Sequence, residues 1–141
     1  MSALTKEQME SFLAEKRNAI VATIRKDGTP QVTPVWFEWD GEVFRFSITK
    51  DRAKYPNLRR DPRLALCIDE DQGPPRRYVT VYGRAELDDR PEAILEPMRR
   101  IRRQYRGEAA AAATTLAELE RDRRVLVTVR PQRMVSWELP I

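Results

Sequence analysis

The chain has 141 residues, 41% hydrophobic and 34% charged, which favours a single globular domain over residues 1–141. It carries 26 lysines and arginines against 22 acidic residues, and its lack of histidine excludes a histidine-based catalytic triad and the usual zinc ligand. A single cysteine, a start unlike a signal peptide and the lack of any apolar run of about 18 residues predict a cytoplasmic protein without an internal disulfide or a membrane span.

The N-terminal segment predicts a short helix over residues 5–16. Thr5 and Gln8 have the spacing of a capping box, in which each side chain bonds the backbone amide of the other residue. Met9, Phe12 and Leu13 then share one helical face, which we expect to pack on the core.

Three strands are predicted next, over residues 18–25, 30–39 and 42–48. The dipeptides Asp27-Gly28 and Asp40-Gly41 separate them, and Asp-Gly between β-rich segments is a strong hairpin signal. The three strands are therefore expected to form an antiparallel meander. Pro34 lacks an N–H to donate, which predicts a sheet edge or a bulge at this position.

The rest of the chain predicts further strands and short helices. Strands are predicted over 63–69 and 76–87, with one or two more in 123–139, and helices over 52–60, 90–106 and 114–120. The DQGPP segment predicts a turn, Gly83 a bend or bulge, Pro97 a disturbed helix, and the alanines at 109–113 a loop-to-helix transition. Six or seven strands with three or four short helices predict a mainly β, α+β fold built on an antiparallel barrel.

Hydroxyl groups and cations are concentrated in residues 45–62. Ser47 and Thr49 alternate on one face of a strand end, Arg52 and Lys54 follow at a predicted helix start, and Asn57 lies one turn further. Hydroxyl donors, two cations and a helix N-terminus suit the oxygens of a phosphate group. The alternative is a solvated basic turn, because clusters of charge usually lie on the surface.

The segment DGTPQVTPVWFEWDGEVFRFSITKDRAKYPNLRRDPRLALCIDED closely resembles the pyridoxamine 5′-phosphate oxidase-like split β-barrel family. Within that family it is most similar to the actinobacterial flavin/deazaflavin oxidoreductases of the B type (FDOR-B), which use coenzyme F420. The matching motifs are Asp-Gly-x-Pro, Pro-Val-Trp-Phe, Ser-x-Thr, Arg-x-Lys and Asn-Leu-x-x-Asp-Pro. The resemblance extends over residues 5–137 and implies an FMN-binding-like split barrel of six or seven strands.

The resemblance also implies which residues bind the cofactor. The phosphate would be held by Ser47, Thr49, Arg52 and Lys54, with Asn57 in support. The ring would be lined by Pro34, Val35 and Trp36 and flanked by Ile48 and Ile68. The resemblance further implies an obligate homodimer with cofactor sites at the subunit interface. Tyr78, Arg84 or Trp137 of the second chain would then complete each site.

The function implied is that of an F420-dependent reductase, which transfers hydride from the deazaflavin to a small conjugated substrate. No catalytic residue is assigned, and no metal or nucleic-acid partner is expected. FMN binding of the pyridoxamine 5′-phosphate oxidase type, or a non-catalytic F420 or flavin carrier, remain alternatives. The sequence ends with VSWELPI, without the basic C-terminal segment of those oxidases, which argues against pyridoxamine oxidation. The arginine-rich MRRIRRQYR segment is either a solvated helix face or a surface that captures the acidic tail of F420.

Overall fold

The computed structural model describes residues 2–70, 72 and 74–140. These described residues form five helices: α1 (Lys6–Ala14), α2 (Lys54–Arg60), α3 (Pro91–Arg106), α4 (Glu108–Ala112) and α5 (Leu116–Arg121). They also form seven strands: β1 (Ala19–Ile24), β2 (Pro30–Val35), β3 (Glu38–Trp39), β4 (Phe44–Thr49), β5 (Arg63–Asp69), β6 (Arg76–Asp88) and β7 (Arg124–Leu139). The predicted α+β class is confirmed, with one helix more than expected. The predicted DQGPP turn includes Asp71 and Gly73, which lie outside the described residues.

Helix α1 begins with the predicted capping box. The Thr5 hydroxyl accepts from the Gln8 amide and the Gln8 side chain accepts from the Thr5 amide, at 3.1 and 2.9 Å. Phe12 and Leu13 are buried, as the helical periodicity predicts. The helix stops before the predicted end because Glu15 is already extended, with ψ 153°.

All seven strands form one antiparallel sheet in the order β2-β1-β5-β6-β7-β4-β3. The two predicted Asp-Gly hairpins are confirmed, since β1 pairs with β2 and β3 pairs with β4, and both turn glycines have positive φ. The predicted meander is wrong, because these hairpins lie at opposite edges of the sheet. Pro34 lies on the edge strand β2, where a missing amide donor costs no ladder hydrogen bond.

The link between the two edge strands forces the sheet to curl. Only Trp36 and Phe37 separate β2 from β3, which the sequence predicted as one strand over 30–39. The Cα atoms of Val35 and Glu38 are three residues apart in the chain, so they lie at most about 11 Å from each other. The edges of a flat sheet of this size would lie about 29 Å apart. The sheet therefore closes into a barrel that is split at the Trp36-Phe37 segment.

The longest strands, β6 and β7, pair along nearly their whole length, with a register shift between Tyr82 and Gly83. This confirms the predicted irregularity. A Cβ on Gly83 would lie 2.8 Å from the Arg130 carbonyl oxygen and 3.0 Å from a Val129 methyl group. Only glycine lets the two strands approach this closely.

Helices α3 to α5 cover one outer surface of the barrel. Helix α3 continues without a break through Pro97, so the predicted disturbance does not occur. The alanine run forms helix α4 rather than a loop transition, because alanine has the highest helix propensity and Ala111 is fully buried. Buried apolar side chains attach these helices to β7: Ile94, Met98, Leu119 and Leu126. None of the described helices is both long and apolar enough to cross a membrane.

Candidate functional site: a cation-rich cleft at the split of the barrel

A cleft of about 800 Å³ lies between the ends of β2 and β4, the turn before α2, and helix α3. Most of the cofactor-binding residues predicted from the sequence line it: Pro34, Val35, Trp36, Ser47, Ile48, Thr49, Arg52 and Lys54. Since they come from two separate segments of the chain, residues 34–36 and 47–54, the curl of the sheet is what brings them together.

The other two predicted residues, Asn57 and Ile68, do not line the cleft. The Asn57 side chain is buried, donates to the Thr23 hydroxyl at 3.1 Å and accepts from Arg60 at 3.0 Å. It thus connects α2 to β1 outside the cleft, which agrees with the supporting role implied by the resemblance. Ile68 is 0% exposed in the barrel core and has no surface to offer a ligand in this chain.

The positive charge of the cleft comes from side chains rather than from the N-terminus of helix α2. Helix α2 begins at Lys54 and not at residue 52, and its N-cap has no side-chain hydrogen bond. The Arg52 amide donates to the Thr49 carbonyl and the Tyr55 amide to the Arg52 carbonyl, both at 3.1 Å. These two amides are therefore used within the turn and are not available to a ligand.

Lys54 is only 7% exposed although it carries a charge. Its ammonium group donates to the Thr33 hydroxyl on β2. Burial lowers the pKa of Lys54, and the positive charge of Arg52 lowers it further. An anion in the cleft would relieve both effects, because it would replace lost hydration and offset the like charge.

The hydroxyls on β4 differ in their availability. The Thr49 hydroxyl donates to the Asp51 carboxylate, and this bond is the main reason that the pKa of Asp51 is lowered. The Ser47 hydroxyl oxygen, by contrast, is buried and has no hydrogen-bond partner among the described residues. Ser47 is thus the hydroxyl that remains able to donate to a ligand, while Thr49 shapes the turn.

Most arginines of helix α3 form ion pairs with carboxylates. Arg99, Arg100 and Arg103 pair with carboxylates of Glu96, Glu38 and Glu108 at 2.6–2.9 Å. Arg102 and Arg106 line the cleft. Arg102 is held by Glu118 through bonds of 2.5 and 2.9 Å, whereas no salt bridge formed by the described residues includes Arg106. The cleft therefore includes one face of the second half of α3, with Met98, Ile101, Arg102 and Arg106.

Trp36 is 41% exposed at the mouth of the cleft, and its indole stacks on Tyr105 with centroids 5.1 Å apart and planes at 18°. The Tyr105 hydroxyl donates to the Arg17 carbonyl and accepts from the Phe37 amide at 3.4 Å. Burial raises the pKa of Tyr105. The tyrosine therefore fixes the indole from one side and leaves its other face free.

The two aromatic residues that follow Trp36 pack in or against the core. Phe37 is 1% exposed, and the partly buried Trp39 packs on Phe44 at a centroid distance of 4.4 Å. The Trp39 indole N–H donates to Glu10 on α1 at 2.8 Å. Neither side chain lines the cleft.

Several cleft residues were not predicted from the sequence: Asn18, Gln31, Thr33, Asp51, Ala53 and Arg124. The cleft residues of α3 lie in the arginine-rich segment for which capture of an acidic tail was one of the two interpretations. Thr33 could have been found, because it lies two residues before Val35 and alternate strand residues share a face. Arg124 could not, since its position depends on the pairing of β7 with β4, which puts it opposite Thr49. No group of three or more histidine, cysteine or acidic side chains in the described part of the chain could hold a metal.

The curled seven-stranded sheet with a cleft at its split defines a split β-barrel of the flavin-binding type. Residues 5–138 match the family model described as pyridoxamine 5′-phosphate oxidase, and the chain belongs to this family. The resemblance found in the sequence is thereby confirmed.

Solved structures agree with this assignment. One named F420 reductase is 35% identical with a TM-score of 0.73, over 89% of this chain and 94% of that chain. A conserved hypothetical protein of Mycobacterium tuberculosis is 27% identical with a TM-score of 0.80, over 96% of this chain and 85% of that chain. A FAD-binding protein of Mesorhizobium loti, 20% identical with a TM-score of 0.69 over 97% and 96% of the two chains, supports the fold alone.

Proposed function

We propose that this chain is an F420-dependent oxidoreductase that reduces a small conjugated organic molecule. The observation that carries the proposal is the cleft itself, where the unpartnered Ser47 hydroxyl lies with Arg52 and Lys54 and an exposed indole marks the mouth. The 35% identity to a structure named F420 reductase favours a deazaflavin as the ring system.

The phosphate of the cofactor is held by side chains at the inner part of the cleft. Ser47 donates through its hydroxyl, and Arg52 and Lys54 supply charge-assisted hydrogen bonds. Each such bond contributes about 1.5–3 kcal/mol. The donor set fits a phosphate because it supplies hydrogen-bond donors and positive charge on the same wall of the cleft.

The ring system is held by the apolar residues at the split. Pro34 and Val35 form one wall, and the free face of the Trp36 indole offers a stacking surface. When bound, the reduced deazaflavin supplies a hydride to the substrate. The protein positions the cofactor and the substrate relative to each other. Its apolar wall excludes part of the water, which strengthens polar contacts to the acceptor. Tyr105 holds the indole and does not act as a proton source, since its hydroxyl bonds the Arg17 carbonyl and its pKa is raised.

We also propose that two copies associate through the outer face of the sheet. This face exposes large apolar side chains, with Ile20, Val32 and Tyr82 at 39, 54 and 47% exposure. Contiguous apolar surface of this kind marks an interaction site, and a self-complementary face favours a two-fold dimer. Tyr78 and Trp137, which pair across β6 and β7, are the residues expected to approach the cleft of the second copy.

An FMN-binding oxidase-like protein is the second candidate, because the family is described by the name of such an oxidase. FMN would use the same phosphate-binding side chains. A carrier without activity is the third. The cofactor preference and a turnover assay distinguish the three.

The test is a titration of the purified chain with F420 and with FMN, followed by tryptophan or cofactor fluorescence. We expect tighter binding of F420, and reduction of an enone panel by the reduced cofactor. Arg52→Ala and Lys54→Met should each weaken binding about 10- to 150-fold, the equivalent of one charge-assisted hydrogen bond. Arg59→Ala is the matched control, because Arg59 is exposed on α2 and lies outside the cleft.

The outcomes separate the candidates. Preference for FMN with oxygen consumption would replace the F420 proposal with the oxidase-like one. F420 binding without reduction of any acceptor would favour the carrier. Unchanged affinity in both cleft variants would refute the assigned phosphate site.

A further inference from the structure

Arg124 lies at a fixed position in the cleft. It is the first residue of β7, lies opposite Thr49 on β4 and lines the cleft. The preceding residue, Arg123, has a positive φ of 54°, and its carbonyl accepts from the Lys50 amide at 3.1 Å. This bond ties the start of β7 to the turn that carries Arg52. The Arg124 side chain is thus held next to the proposed phosphate-binding residues.

The guanidinium group of Arg124 lacks the hydrogen-bond and salt-bridge partners that a buried cation normally has. Its Nε is buried without a hydrogen-bond partner, and no salt bridge within the described residues includes Arg124. Burial lowers the pKa of Arg124, and the charge of Arg102 lowers it further. The nearby acidic groups are already used, since Glu118 binds Arg102 and Asp122 pairs with Arg121.

Such an arrangement is costly in the free protein. Asp122 and Glu118 raise the pKa of Arg124, but among the described residues neither forms a salt bridge with it, so this buried cation next to other cations loses hydration without a direct counter-charge. The Ser47 hydroxyl oxygen, on the neighbouring strand two residues from Thr49, is also without a partner. An oxyanion bound in the cleft, over the paired ends of β4 and β7, would accept from both groups, and a guanidinium fork matches the oxygens of a phosphate.

We infer that Arg124 is a further oxyanion ligand of the cleft, whose unpaired guanidinium destabilises the free protein and binds the phosphate-type group of the cofactor. This inference rests on the proposed function for the identity of the ligand. It assigns the anionic group to three segments of the chain, the β4 end, the turn at Arg52 and the start of β7, rather than to the 47–54 segment alone.

The test compares thermal unfolding of the wild-type chain, Arg124→Met and Arg124→Lys, without anion and with inorganic phosphate or pyrophosphate. We expect Arg124→Met to melt at or above the wild-type temperature without anion, because it removes an unpaired cation. The anion-induced rise in melting temperature should fall by at least half, with affinity about tenfold weaker or more. Arg124→Lys should retain part of the rise, because it keeps the charge but not the fork.

Arg130→Met is the control, because Arg130 is an exposed arginine six residues later on the same strand, pairs with Glu42 and lies outside the cleft. It should leave the anion-induced rise unchanged. The inference is overturned if Arg124→Met melts lower than wild type without anion and keeps the full anion effect, which is the behaviour of a structural cation. It is also overturned if the wild-type chain shows no anion effect at all.

Titration with F420 and FMN separates this inference from the proposed function. Equal cofactor affinity in the wild type and Arg124→Met would overturn the role of Arg124 and leave the proposed function standing. Loss of the anion effect in Arg124→Met, in a wild-type chain that binds neither cofactor, would support the oxyanion ligand and refute the proposed function.

Discussion

The stacked pair of Trp36 and Tyr105 allows stability and ligand binding to be separated by two substitutions at one position. Tyr105→Phe keeps the ring that stacks on the indole and removes the hydroxyl that bonds the Arg17 carbonyl and the Phe37 amide. Loss of these bonds in a buried setting should cost about 1–2 kcal/mol of unfolding free energy. For a chain of this length that corresponds to a melting temperature lower by about 3–8 °C. Cofactor affinity should stay within about twofold of the wild type, a change well below one neutral hydrogen bond.

Tyr105→Leu removes the ring as well. Stacking contributes about 0.5–1.5 kcal/mol beyond the area it buries, and the smaller side chain leaves a cavity behind Trp36. We expect the unfolding free energy to fall by about 2–4 kcal/mol relative to wild type. Because the indole is no longer held, cofactor affinity should weaken about tenfold, the equivalent of one stacking contact at the upper end of its range.

Urea unfolding measures the two stability changes, and cofactor titration measures the two affinities. Quenching of Trp36 emission reports whether the indole has moved, with Trp36→Leu as the reference for its signal. Unchanged cofactor affinity in Tyr105→Leu would refute the argument that Tyr105 positions the indole. A large loss of affinity in Tyr105→Phe would show instead that the hydroxyl acts on the ligand directly.

Three further substitutions test the fold, its acid stability and the outer face. Gly83→Ala should lower the unfolding free energy by about 1–3 kcal/mol, because its Cβ would lie 2.8 Å from the Arg130 carbonyl oxygen; urea unfolding measures this. Arg63 lowers the pKa of Asp61 from 3.8 to about 2, so the stability contributed by Asp61 is present above about pH 4 and lost as the pH falls toward 2. Asp61→Asn should therefore be less stable than wild type at pH 5, and in thermal melts the difference should disappear as the pH falls below about 2. Tyr82→Asp should convert the proposed dimer to a monomer in analytical ultracentrifugation, because it charges an exposed apolar face.

Each of these three expectations has a specific contrary result. Wild-type stability of Gly83→Ala would mean that β6 and β7 separate without cost at the bulge. Since Asp61 is only partly buried and its partner Arg63 is exposed, the effect should also shrink in high salt, and an effect that persists there would have another cause. A wild-type chain that sediments as a monomer, or a Tyr82→Asp variant that remains dimeric, would contradict the interface on the outer face.

The sequence by itself determined the features that depend on neighbouring residues. The capping box at Thr5, the two Asp-Gly hairpins and the Gly83 irregularity all follow local rules of backbone geometry and hydrogen bonding. The Ser-x-Thr and Arg-x-Lys motifs also identified a continuous part of the cleft wall, because their residues lie within one strand end and the turn after it.

Only the tertiary structure decided what comes together from distant parts of the chain. The placement of β2 and β3 at opposite edges depends on how β5, β6 and β7 insert between them, which no local pattern encodes. Whether an arginine is paired or unpaired depends equally on its spatial partners: Arg102 forms a salt bridge with Glu118, whereas no salt bridge among the described residues includes Arg124. Register and ion pairing are properties of the folded sheet, and they determine which charges remain available to a ligand.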